Sequence, residues 1–162
     1  MKFKDFEIEI RNITGAVEAV LKDKNKWSVV SIRDSVSKKA PVDSFKDLCQ
    51  GMLPLIFDDV YHPEFHKGSH FPTMEDVKQA LDWAKDKTSI LVHCHAGISR
   101  SSAIAYLIAC QRVGPKEAIK LLNIHNHWPN ILIVKFGAIL LGDPEIDSVM
   151  ATWQHDSLPL GI

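Results

Sequence analysis

A chain of 162 residues with 46 % apolar and 24 % charged side chains can bury a substantial core, and is most simply one domain over 1–162. Its net charge of −1 provides no global field for nucleic acid or an anionic membrane; the longest apolar stretch, Ile131 to Leu141, is too short to span a bilayer and contains Lys135. Three cysteines, at 49, 94 and 110, make neither a disulfide framework nor a zinc cluster, and MKFKDFEIEIRN lacks a signal-like apolar region, so a reduced, cytoplasmic setting is expected.

Along the chain, strand-like and helix-like patterns alternate. Phe6, Ile8 and Ile10 alternate with charges and predict a half-buried edge strand. Residues 14–23 read as a helix with Thr14 as N-cap and Val17, Val20 and Leu21 on one face. Trp27 to Ile32 is the next strand, followed by a polar loop through Pro41. Met52 to Phe57 is another, placed at an edge by Pro54. The helix from about Thr73 to Lys87 opens with a Thr73/Asp76 capping box and aligns Met74, Val77, Leu81 and Ala84. Ser89 to His93, almost wholly apolar, belongs near the centre of a sheet. Helices are expected over Arg100 to Arg112, Pro115 to about His125 and Asn130 to Leu141, with a short last one from Pro144. The pattern predicts an α/β fold: a mainly parallel sheet of four to five strands flanked by helices.

In such folds ligands bind where strand carboxyl ends meet helix N-termini. That junction is Cys94-His-Ala-Gly-Ile-Ser-Arg100. A helix N-terminus offers free amides and a partial positive charge, and small residues with Gly97 let successive amides curl around an oxyanion. Arg100 adds a two-pronged fork for phosphate oxygens. The same field favours a thiolate at Cys94, so one loop would carry both a nucleophile and an anion cradle. A Walker-type nucleotide loop is excluded by its missing G-x-x-x-x-G-K-[ST]; His93 and His95 beside Cys94 lack the second cluster that metal ligation needs, so no metal or other cofactor is expected.

The stretch HCHAGISRS matches H-C-x-x-G-x-S-R-S, and the order from Phe6 to Asp59, through this loop, to WPNILIVKFGAILLGD resembles cysteine-dependent protein phosphatases of the tyrosine and dual-specificity kind, in a compact bacterial-type form. The resemblance implies a three-layer fold with Cys94 as nucleophile and His95, Ala96, Gly97, Ile98, Ser99 and Arg100 around the phosphate. Ser101 would donate to the departing sulfur, and His93 would orient the loop. The resemblance also implies an acid on a mobile loop after a strand: Asp59, with Asp58 second, in PLIFDDVYHPEF. Repulsion within this pair would raise the pKa of one member. Asp34 and Glu64 are weaker candidates for the acid.

Outside the loop, His125 and His127 lie near a Pro129-Asn130 turn that continues with Ile-Leu where related sequences carry basic residues. Trp83, Trp128 and Phe136 read as core or interface, Cys110 as packing, and Cys49 as a possible disulfide partner for Cys94. The implied substrate is a phosphorylated protein or peptide, bearing phosphotyrosine and, on a shallow site, phosphoserine or phosphothreonine. No lysine occupies the variable loop positions, unlike loops that bind inositol phosphates. A phosphate-binding pseudophosphatase, a phosphoinositide or small-molecule phosphatase, and a rhodanese-like sulfur transferase stay open, as does the oligomeric state.

Overall fold

The computed structural model describes the chain except residues 63, 65–66 and 159–162. Four strands, β1 (Glu7–Arg11), β2 (Ser28–Arg33), β3 (Gly51–Ile56) and β4 (Ser89–His93), form one all-parallel sheet in the order β1-β4-β2-β3. The apolar strand β4 is interior, as its composition requires, because helices cover both of its faces. Pro54 sits on edge strand β3, where a missing amide leaves no partner unsatisfied.

Alternation along the strands sends side chains to two cores. Ile8, Val30, Ile32, Leu53, Leu55, Ile90 and Val92 face α2 (Met74–Ala84), α3 (Arg100–Val113), α5 (Ile131–Leu141) and α6 (Glu145–Ser157). On the other side Val29 and Leu91 meet α1 (Ile13–Lys22), Trp27 and a 3-10 stretch at Pro41–Leu48. Helix α3 is buried on every side from Arg100 to Cys110, so its sequence shows no amphipathic stripe. Tyr106 Oη ties it to α6 by donating to the Ile146 carbonyl at 3.0 Å.

Several elements differ from expectation. Asn12, not Thr14, caps α1, its side chain accepting from the Gly15 amide at 2.7 Å; the buried face is Ala16, Ala19 and Val20, which leaves Leu21 exposed. The Thr73/Asp76 capping box forms, although Met74, between its two members, is exposed rather than on the buried face. The helix expected over Pro115 to His125 is only α4 (Pro115–Ala118) and a 3-10 turn, Ile119–Leu121, because the chain turns extended at Leu122. The 3-10 stretch Pro41–Leu48 begins where the expected loop ends and was not foreseen, and α6 is 13 residues long rather than short. Among the described residues no helix is long and apolar enough to cross a membrane.

Helices α3 and α5 approach closely at Gly137, where an added Cβ would lie 2.2 to 2.7 Å from the Leu107 side chain. Gly137→Ala overpacks this contact and is expected to lower stability by about 1–3 kcal/mol. Urea unfolding measures it, and an unchanged midpoint would show that Leu107 moves aside freely.

Candidate active site

Parallel pairing brings the carboxyl ends of all four strands to one edge. There β1 delivers Arg11 and Asn12, β4 delivers His93 and Cys94, β2 delivers Asp34, and β3 delivers Phe57, Asp58 and Asp59. The loop from Cys94 to α3 crosses this edge. Its carbonyls are held by the scaffold: His95 O accepts from Ile13 N, Ile98 O from Trp128 N, and Ser99 O from Asn130 N and Ala103 N. A trans peptide sets its N–H opposite its C=O, so the amides of Ala96, Ser99 and Arg100 are turned away from those partners. Gly97 is required on two counts: its φ is +73°, and an added Cβ would lie 2.7 Å from Asn12 N and 2.8 Å from the Arg11 carbonyl carbon.

Cys94 is buried at the start of this loop. Its sulfur lies 3.1 Å from Ser101 Oγ and accepts from the Gly97 amide at 3.3 Å. Below it His93, fully buried, places Nε2 2.8 Å from Ser31 Oγ, its cross-strand neighbour in the β2–β4 register, and Nδ1 3.4 Å from the Cys94 carbonyl. The carbonyl can only accept, so Nδ1 carries the proton and Nε2 accepts from Ser31. Arg33 Nε donates to the same Ser31 oxygen at 3.2 Å and its guanidinium pairs with Asp43, which extends the chain into the 3-10 stretch. Burial pulls the His93 pKa down to about 4, so the ring is neutral at physiological pH.

Arg100, six residues after Cys94, opens α3 with its guanidinium buried. Nη1 donates to Asp34 Oδ1 at 2.7 Å and to the Phe57 carbonyl at 2.9 Å. Nε is buried with no hydrogen-bond partner among the described residues. Asp34 therefore braces the arginine and is not placed as a proton donor. Its position at a strand end was visible in the sequence, but the pairing was not.

The two adjacent aspartates separate cleanly. Asp58 accepts from Ser35 N (2.9 Å), Ser35 Oγ (2.7 Å) and His70 N (2.9 Å), stitching the segments after β2 and before α2 together. Desolvation pushes its pKa up, but these hydrogen bonds and the charge of Arg100 outweigh it and hold the group below the usual range, opposite to the rise that repulsion within the pair would give. Asp59 is turned to the loop: Oδ1 accepts from Ser99 Oγ and from Asn130 Nδ2, each at 2.8 Å. Tyr61 Oη lies 3.0 Å from Ser99 Oγ; with the serine proton committed to Asp59, the tyrosine is the donor. Tyr61 and Asn130 escaped the sequence reading, although Asn130 precedes a helix as an N-cap does.

His125 and His127 line a cavity of about 540 Å³ with Arg11, Asn12 and loop residues Ala96 to Ile98. Trp128, expected in the core or at an interface, is not in the core: it is exposed on the loop's rim, beside exposed Ile98. Trp83 and Phe136 pack partly buried against the main core. Cys110 is buried in α3, and burial pushes its thiol up to about 12, which suits packing alone. Cys49 cannot reach Cys94. It precedes the Gly51–Ser28–Ile90 level of the sheet while Cys94 follows it, six residues or about 20 Å along the strands, whereas a disulfide needs Cα atoms within about 7 Å. No group of three or more potential metal ligands occurs among the described residues.

A strand-to-helix loop thus runs from a buried cysteine to a buried arginine across the carboxyl edge of a parallel sheet. Residues 11–134 match the family described as dual specificity phosphatase, catalytic domain, and the chain belongs to that family. Among solved structures it is similar to Tk-PTP in a mutant form (16 % identity, TM-score 0.52, covering 96 % of this chain and 94 % of that one) and to PTPMT1 in complex with PI(5)P (14 %, 0.50, 93 % and 88 %). These likenesses support the three-layer fold. No curated protein matches the chain.

The neutral His93 makes a testable contribution to stability. Its folded pKa is about 4 against 6.5 unperturbed, so below pH 6.5 the unfolded chain takes up a proton that the native state refuses. Stability falls as pH drops through this window. Between pH 7 and 4.5 wild type is expected to lose about 2 kcal/mol more than His93→Gln in urea unfolding, carboxylates contributing alike to both. Equal losses would place a charged imidazole in the native core.

Proposed function

We propose that the chain hydrolyses phosphomonoesters in proteins, phosphotyrosine first, through a phosphocysteine intermediate. The observation that carries this is the pairing of the Cys94 sulfur, held by Gly97 N and Ser101 Oγ, with a buried Arg100 whose Nε has no partner among the described residues. An equatorial phosphate oxygen satisfies that donor, and the turned amides of Ala96, Ser99 and Arg100 receive the others. The Cys94 thiolate attacks phosphorus in line, the ester P–O bond breaks, and Asp59 gives its proton to the departing oxygen. Asp59 as carboxylate then takes a proton from water, whose oxygen attacks phosphorus. The P–S bond breaks toward a sulfur that accepts from Ser101, releasing inorganic phosphate. His93 holds the loop's first peptide in place through the Cys94 carbonyl.

Asp59 is preferred to Asp58 because every contact of Asp58 is structural, whereas Asp59 reaches the loop itself. The exposed Ile98 and Trp128 give the loop an apolar rim suited to an aryl group. PTPMT1 is solved with PI(5)P, which makes an inositol phosphate the second substrate class. Loop positions 95, 96, 98 and 99 hold no lysine to meet additional phosphates, and this favours the phosphoprotein.

Turnover of an aryl phosphate is expected to vanish in Cys94→Ser and Arg100→Ala, to fall by about 10²–10⁴-fold in Asp59→Ala, to change little in Asp58→Asn if the fold holds, and to resist EDTA. A panel of phosphotyrosine, phosphoserine and phosphothreonine peptides beside PI(5)P separates the substrate classes. Sustained activity in Cys94→Ser contradicts the mechanism, and preference for PI(5)P contradicts the substrate.

A further inference from the structure

The residue that joins the acid's segment to the phosphate loop is Asn130, which is fully buried. Its Nδ2 donates to Asp59 Oδ1 at 2.8 Å and to the Val60 carbonyl at 3.2 Å. Its backbone amide donates to the Ser99 carbonyl at 3.2 Å. Its Oδ1 accepts from the amides of Leu132 and Ile133 at 3.1 and 3.2 Å, capping α5. Every polar group of the side chain is therefore committed, and the amide cannot flip without setting an NH₂ against two helix donors.

We propose that Asn130 is a positioning residue for proton transfer by Asp59, an inference that rests on Asp59 being the acid. Both donors to this carboxyl, Asn130 Nδ2 and Ser99 Oγ, converge on Oδ1. Whenever this carboxyl carries a proton, the oxygen already receiving two donors serves as its carbonyl oxygen, and the proton sits on Oδ2. Asn130 thereby sets which oxygen delivers the proton and fixes its direction relative to the loop that holds phosphorus. All of these contacts lie within the chain, so the acid is preset by the α5 cap, in place of the expected loop that approaches only with substrate. Accurate placement is worth much to such a transfer, since a misplacement of about 1 Å can reduce rate about 10²-fold.

The test uses two aryl phosphates of different leaving-group demand. p-Nitrophenolate leaves without much protonic help, whereas phenolate needs the acid. Asn130→Ser keeps a good N-cap and removes the amide donor, and Asn130→Asp keeps the cap while setting a second acidic group against Asp59. Urea midpoints establish that each variant is folded. Both are expected to lower kcat/KM for phenyl phosphate, which reports only the steps through formation of the phosphocysteine, by about 10- to 100-fold, and to lower kcat/KM for p-nitrophenyl phosphate by less than about threefold. Asp59→Asn is expected to show the same selective loss in kcat/KM, together with a fall in kcat on both substrates because the base for the second step is gone, and adding Asn130→Ser to it should produce almost no further effect. Equal losses on both substrates in Asn130→Ser, or none, overturn the positioning role while the selective loss in Asp59→Asn leaves the acid assignment standing. No selective loss in Asp59→Asn overturns the acid assignment and, with it, the inference.

Discussion

The buried guanidinium of Arg100 is the constraint around which this end of the molecule is arranged. A charge removed from water costs several kcal/mol unless its donors are met. Asp34 and the Phe57 carbonyl meet one nitrogen, and they arrive from the ends of β2 and β3 because the sheet is parallel and in register. A buried Nε has no partner among the described residues, and the oxyanion of the proposed substrate would meet it. Placing the arginine in the first turn of α3 aligns that need with the helix N-terminus and with the sulfur of Cys94.

Much of the surrounding polar structure fixes the direction in which this loop's carbonyls point. If the carbonyls of His95, Ile98 and Ser99 faced the anion they would repel it; partners from α1, the Trp128 segment and Asn130 hold them outward. Gly97 closes against the Arg11–Asn12 backbone, so the turn is braced from the β1 side as well. His93, neutral and hydrogen-bonded to Ser31, supports the base of the loop without adding a charge beneath the sulfur. The work of the two aspartates divides accordingly, Asp58 as a structural tie and Asp59 against the loop.

The parts legible in the sequence were those set by local chemistry. Apolar runs placed β2, β3 and β4, Pro54 marked an edge, and Thr73 with Asp76 marked a helix start. The loop itself was legible because cysteine, glycine and arginine fall at spacings that an anion cradle demands. What escaped depends on pairings distant in sequence. The Asp34–Arg100 ion pair joins the end of β2 to the first turn of α3, and nothing local distinguishes Asp34 from another strand-end carboxylate. Asp58 and Asp59 have near-identical neighbours in sequence, yet one meets Ser35 and His70 and the other Ser99 and Asn130. Thr14 and Asn12 are both good N-cap types, and contact of the adjacent chain with the loop, through Ile13 N and His95 O, favours the earlier start. Nothing in the sequence placed Cys49 relative to Cys94; parallel pairing puts them at opposite ends of the sheet.

The central claim is that one sulfur takes the phosphoryl group from substrate. Mixing Asp59→Ala with an aryl phosphate, quenching in the first turnovers and mapping the peptides by mass spectrometry tests it most directly, because loss of the base slows release of the intermediate. The phosphoryl group is expected on Cys94 alone, and absent from Cys94→Ser. A phosphoryl group on His93, His95 or a serine of the loop, or phosphate released with no covalent intermediate formed, would contradict the account.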